Sequence, residues 1–216
     1  MSERQDVVLN VSFTQFVAFV MVMALAVPLR EFGRALAADY SGDDIPDLQG
    51  RLTVEPWAHW DLWGAILIAL GIFVPNFAIF GWGKPVLTDP THYRNGRWGR
   101  VLVAGVGIVV NLLLAGIGAA IFRGFGLAAT GGDPAYRDIC HVFVLANISL
   151  AIFNLIPIPP LDGARFVVWL APVRAGIWYE RFMQGKGIIL LYLIVFLASG
   201  ALWGPVRTLT NLLLGI

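Results

Sequence analysis

The chain has 216 residues, of which 58% are hydrophobic and only 13% charged, with a mean hydropathy of +0.75. A soluble domain cannot cover itself with a polar surface from that balance, so the composition points to one membrane-embedded domain over residues 1–216. A formal charge of +1 excludes a broad basic field for nucleic acid, and the lone Cys140 excludes a disulfide framework and zinc sites built from cysteine pairs.

A helix needs about 20 mostly apolar residues to cross the hydrocarbon core. Five uncharged runs have that length: Val11 to Leu29, Leu62 to Gly83, Val101 to Phe122, Ile139 to Leu161 and Gly187 to Val206. The first follows MSERQDVVLN, which carries charges of both signs, and no small-residue cleavage site ends it, so a retained span is expected. It continues past Leu29 with helical spacing and sets Arg30, Glu31 and Arg34 at or just inside the membrane, where each buried charge is expensive. Arg30 and Arg34 are four apart and share a helix face, with Glu31 beside them. Snorkelling of both arginines to lipid headgroups is the ordinary alternative.

The second run is interrupted by Gly64, Gly71, Pro75, Asn76, Gly81 and Gly83, as expected of a re-entrant hairpin that returns to its starting face. The third carries Gly107, Asn111, Ala115 and Ala119 at helical spacing, and the fourth Asn147, Ala151 and Asn154. Such stripes let helices approach closely, and internal packing is their ordinary role. After Asn154 come Pro157, Pro159 and Pro160, then Asp162 and Gly163. Prolines at this density stop a helix and leave free carbonyls, and a carboxylate at such a break marks a candidate site.

The run Phe166 to Val173 is too short to span and contains Pro172, while Thr208 to Ile216 could make one more short helix at an interface. The eight tryptophans, Trp57, Trp60, Trp63, Trp82, Trp98, Trp169, Trp178 and Trp203, lie mostly near run ends, where interfacial anchors belong. The expected fold is all-α and polytopic, with about five to six membrane helices including the re-entrant segment.

The hairpin decides the topology. If the first four runs all spanned, the Arg30 end of the first and the Asp162 end of the fourth would lie about 30 Å apart. A re-entrant second run puts both on one face. Arg51, Lys84, Arg94, Arg97, Arg100, Arg165, Arg174, Arg181 and Lys186 then share that face, against Arg4, Arg123, Arg137 and Arg207, which makes it cytoplasmic.

The string LREFGRALAADYSGD resembles the His-Glu-x-x-His helix of the site-2 protease family of intramembrane zinc metalloproteases, with arginine at both histidine positions. GRLTVEPWAHWD, FGWGKPVLTDPTHYRNGRWGR, the Asn111-Leu-Leu-Leu-Ala stretch and FNLIPIPPLDGARF are similar to the family's small bacterial members that lack a PDZ domain, in the same order along nearly the whole chain. The resemblance implies that the two motif histidines and the Leu-Asp-Gly aspartate bind zinc while the glutamate activates water. By position these are Arg30, Arg34, Asp162 and Glu31. Two of three ligands are therefore replaced by a group that stays protonated and has no lone pair to offer. Zinc needs three protein ligands and an open position, so no metal and no other cofactor is expected, and no catalytic residue remains. A further departure is Ile108, where the family has proline after the glycine at Gly107.

Two arginines and two carboxylates sum to zero, as would two neutral histidines, one zinc ion and two carboxylates. Asp162 is accordingly expected to pair with Arg30 or Arg34. Among other metal candidates, His141 lies 21 residues before Asp162, about 30 Å along a regular helix and out of reach. His59 and His92 are loop residues that could join Asp162 or Glu31.

The resulting expectation is a pseudoprotease of the bacterial inner membrane, its degenerate site facing the cytoplasm. It would act as an accessory, scaffolding or assembly subunit whose partners are the lipid bilayer and transmembrane helices of other proteins. A groove at Asn111, Asn147, Asn154, Pro157, Pro159, Pro160 and Gly163 would receive such a helix or an extended segment. The alternatives are an active protease with unconventional ligands, and a binder of anionic lipid or a small anion at Arg30 and Arg34.

Overall fold

The computed structural model describes residues 12–75, 77, 79–127, 133–159 and 161–216. The expected first span, Phe13–Ser41 (α1), opens on a capping box in which Ser12 accepts from the Gln15 backbone N–H and the Gln15 side chain answers. It ends at Gly42, whose φ of 106° supplies the left-handed turn that stops the helix. Within α1, Val22–Ala26 widens into a π-helical turn just before Pro28. Proline removes one backbone donor and crowds the preceding turn, and the wider turn relieves both. The indole of Trp60 donates to the Met23 carbonyl there at 2.7 Å.

Leu62–Phe73 (α2) is capped by Asp61, which accepts from Gly64 N–H at 2.9 Å. Its 12 residues are too few to cross a bilayer. Beyond Val74 the chain turns and runs back along α2. A Cβ on Gly64 would overlap the Trp82 carbonyl, and one on Gly81 would lie 2.6 Å from the Gly64 carbonyl. Lys84 N–H then donates to the His59 carbonyl at 2.7 Å, so the segment returns to the end from which it left. The glycines are what permit two backbones to lie this close. Of the expected interruptions, Asn76 lies outside the described residues.

Arg97–Gly124 (α3) and Pro134–Leu155 (α4) form an antiparallel pair. Pro134 follows the Asp133 cap, which accepts from Ala135 N–H at 2.8 Å. Gly118 lets α4 approach closely: a Cβ there would stand 2.8 Å from Val144. Asp162–Leu170 (α5) and Val173–Met183 (α6) are short. Gly187–Leu214 (α7) carries the fifth apolar run and continues through Pro205 to its end, so Thr208 to Ile216 is not a separate helix. Its last turn is fixed by Arg123 of α3, which donates to the Leu212 carbonyl at 2.7 Å.

The described residues contain no strand, and α1, α3 and α4 are each long and apolar enough to cross a membrane. The protein is thus an all-helical, polytopic, integral membrane protein. One buried cluster joins α1 to the hairpin and α4 through Val22, Val27, Ile68, Ile79, Phe143 and Leu150. A second joins α3, α4 and α7 through Ala115, Phe122, Ile148, Val206 and Leu214. The Ser149 hydroxyl donates to the Ile79 carbonyl and Gln15 to that of Ile72 at 3.2 Å, which satisfies backbone exposed by the hairpin. Trp57, Trp60, Trp63, Trp98 and Trp178 are exposed, as anchors would be.

Candidate functional site

The hairpin brings the C-terminal half of α1 and the start of α5 to the same end of the bundle. Arg30, Glu31, Arg34 and Asp162 are all buried there. Glu31 lies between the arginines, its Oε1 in an ion pair with Arg30 Nη2 at 3.1 Å and its Oε2 accepting from Arg34 Nη1 at 3.1 Å. The second Arg34 nitrogen, Nη2, donates to Asp162 Oδ2. Arg34 therefore bridges both carboxylates, and Arg30 reaches Glu31 only.

Gly107 makes room for this cluster. A Cβ at that position would stand 3.0 Å from Arg30 Cγ, so even alanine would press on the Arg30 side chain, and 3.5 Å from Arg34 Nη2, in ordinary contact. On the opposite side Gly83, in the returning limb, lies under Glu31: a Cβ there would be 2.7 Å from Glu31 Cγ. The limb is tied down by Arg51, which donates to the Ala58 carbonyl and, at 3.3 Å, to that of Pro85. Gly163 is required because a Cβ would overlap the Leu155 and Ile156 carbonyls as the chain folds back after α4.

The remaining groove residues are dispersed along α3, α4 and the break. Asn147 and Asn154 donate to carbonyls of their own helix, Phe143 at 2.9 Å and Leu150 at 2.7 Å. Asn111 is fully buried, and neither its amide nitrogen nor its oxygen has a partner. The Pro157 carbonyl accepts from Tyr179 of α6 at 2.6 Å. Pro159 lines a cavity of about 590 Å³ with Leu161, Ala164, Val168 and Tyr179. Pro160 lies outside the described residues.

His59 is fully buried in a single helical turn, Pro56–His59, with Nε2 on the Thr53 carbonyl at 2.7 Å. His92 faces Asp43 at 3.4 Å. Among the described residues, the ligand atoms that could converge on one ion are those of Asp43, Asp44 and His92, a group without Glu31 or Asp162. At the arginine cluster the donor set does not fit zinc. Two positions hold guanidinium groups with no lone pair, and both carboxylates already accept from them.

Residues 128–197, which include Asp162, match the family model described as Peptidase family M50. YwhC of Bacillus subtilis, which bears the provisional name of a zinc metalloprotease, is 32% identical over 194 residues, covering 85% of this chain and 83% of YwhC. The chain belongs to peptidase family M50. Two further M50 relatives, also provisionally named zinc metalloproteases, are the Rip2 proteins of Mycolicibacterium smegmatis, 29% identical, and Mycobacterium tuberculosis, 33% identical. In each case 67% of this chain is matched to 55% of the relative. No solved structure matches. M50 is the site-2 protease family to which the five sequence segments pointed.

Sequence reasoning left open which arginine meets Asp162 and did not anticipate the π-helical turn, the contact of Gly83 with Glu31, or the Tyr179 contact at the proline break. Pro28 was the available signal for the first. The others depend on tertiary approach and leave no local mark.

Proposed function

We propose that this M50 protein is catalytically inactive and serves as an accessory, scaffolding or assembly subunit that binds a transmembrane helix of a larger membrane complex. The observation that carries the reading is the closed charge balance at the metal position: two guanidinium groups occupy the histidine sites and hold both carboxylates. Glu31, the positional equivalent of the family's base, is engaged by two cations and lies beneath the returning limb of the hairpin. With no ligand set, water activation by a Lewis acid has no place to occur.

The proline break opens on the cavity of about 590 Å³ beside Pro159, which supports retained binding of an extended segment. The excess of arginine and lysine at the end that holds the cluster supports a cytoplasmic orientation in a bacterial inner membrane.

A photo-crosslinking residue placed at the exposed Pro157 in the native membrane is expected to capture one integral membrane protein, stoichiometrically and reproducibly, without cleaving it. Crosslinks to lipid alone, or cleavage of a captured helix that disappears in Glu31→Gln, would contradict the reading.

A further inference from the structure

Beside the cluster, a small cavity of about 230 Å³ opens between the loop preceding α3, the first turn of α3 and the first turn of α5. Thr88, Tyr93, Arg100 and Arg165 are its polar walls, and Val103 and Val168 its apolar ones. We propose that it binds an oxyanion of the phosphate class. The site is distinct from the degenerate motif and does not depend on the loss of zinc.

Tyr93 supplies the first observation. It is only 6% exposed, and its hydroxyl has no hydrogen-bond partner. Tyr93 lines the cavity together with Thr88, Arg100 and Arg165, and no contact among them meets the geometry of a hydrogen bond to its hydroxyl. A buried phenol O–H without an acceptor is an unmet donor pointed at a ligand.

Charge is the second. The Arg100 and Arg165 guanidinium groups make no hydrogen bond or ion pair among the described residues, in contrast to Arg30 and Arg34. Three carboxylates lie near enough to matter, and all are engaged. Glu31 and Asp162 are held by the motif arginines. Asp43, the carboxylate that Tyr93 feels, accepts from Ile45 N–H at 3.2 Å and Asp89 N–H at 2.7 Å, with His92 at 3.4 Å. Two unpaired positive charges therefore line the cavity, Arg165 where it borders the larger cavity beside Pro159.

Size and geometry select the ligand class. The volume is below the roughly 300 Å³ at which pockets begin to enclose drug-sized molecules, so one compact group fills it. Two planar guanidinium forks and a phenol O–H present donors from several directions, which suits a tetrahedral oxyanion with several acceptor oxygens. The cavity lies at the end of the bundle where α3 begins, the level of phospholipid headgroups, so the phosphate group could come from a lipid or from free phosphate.

The test uses the full chain in mild detergent, with inorganic phosphate titrated against chloride at matched ionic strength and retained lipid identified by native mass spectrometry. The parent is expected either to melt at a saturably higher temperature in phosphate or to retain one phosphate-bearing lipid per chain. A phosphate response that emerges only after lipid is stripped identifies the headgroup as occupant; a response in lipid-free protein as purified identifies free phosphate. Arg100→Gln combined with Arg165→Gln, both exposed positions, should abolish either signal. Tyr93→Phe, which preserves packing, should weaken apparent affinity about tenfold. No difference between phosphate and chloride with no phosphate-bearing lipid retained would overturn the proposal, as would either signal persisting unchanged in the double arginine variant.

Discussion

Asp162 stands at the first residue of α5, 1% exposed, with Arg34 as its ion-pair partner. Removing one member of a buried pair leaves the other charge uncompensated and costs about 3–5 kcal/mol, whereas replacing both by apolar groups is often neutral or stabilising. Asp162→Asn is therefore expected to lower the melting temperature in detergent clearly, and Arg34→Leu combined with Asp162→Leu to recover much of the loss. An Asp162→Asn protein as stable as the parent would mean that this pair does not pin α1 to α5. Arg34 carries more of the cluster than Arg30 because its two terminal nitrogens reach different carboxylates. The sequence left that choice open: helical spacing places both arginines on one face, but which reaches Asp162 depends on the tilt between α1 and α5. Likewise His59 reads as a loop histidine, and its full burial depends on the chain folding over it.

The elements divide by how local their causes are. The apolar runs and the proline stop after α4 are set by neighbouring residues, and these were legible; the Ser12 and Asp61 caps are equally local but went unread. The hairpin was legible too, because glycine and proline interrupt an apolar run that is otherwise long enough to span. Its closeness was not, since Gly64 and Gly81 are needed only once two limbs meet. Gly64→Ala should place a methyl group against the Trp82 carbonyl and force the limbs apart, at about 1–3 kcal/mol. Lower detergent stability and faster proteolysis between residues 74 and 86 would register it; an alanine variant as stable as the parent would show that the contact has slack. The merging of Thr208 to Ile216 into α7 was missed because the charge of Arg207 ends the uncharged run at Val206, yet the helix continues through it and through Pro205 to Leu214.

For the whole molecule, the returning hairpin sets the arrangement. It puts the ends of α1 and α4 and the starts of α3 and α5 on one side, with the Arg123 and Asp133 ends on the other. Cysteines at Asp89 and Asp133, in a Cys140→Ser background, should label from opposite faces of intact cells or sealed vesicles. Labelling of both from one face would contradict the arrangement. The same fold that would gather a metalloprotease site here gathers two arginines and two carboxylates, and their sum of zero is the central claim. The direct measurement is metal content per chain, by elemental analysis of protein purified in mild detergent without chelator. The expected result is no bound zinc above background, unchanged in Asp162→Asn. Near-stoichiometric zinc, lost on changing Asp162 or His59, would contradict it and return the chain to the active metalloproteases.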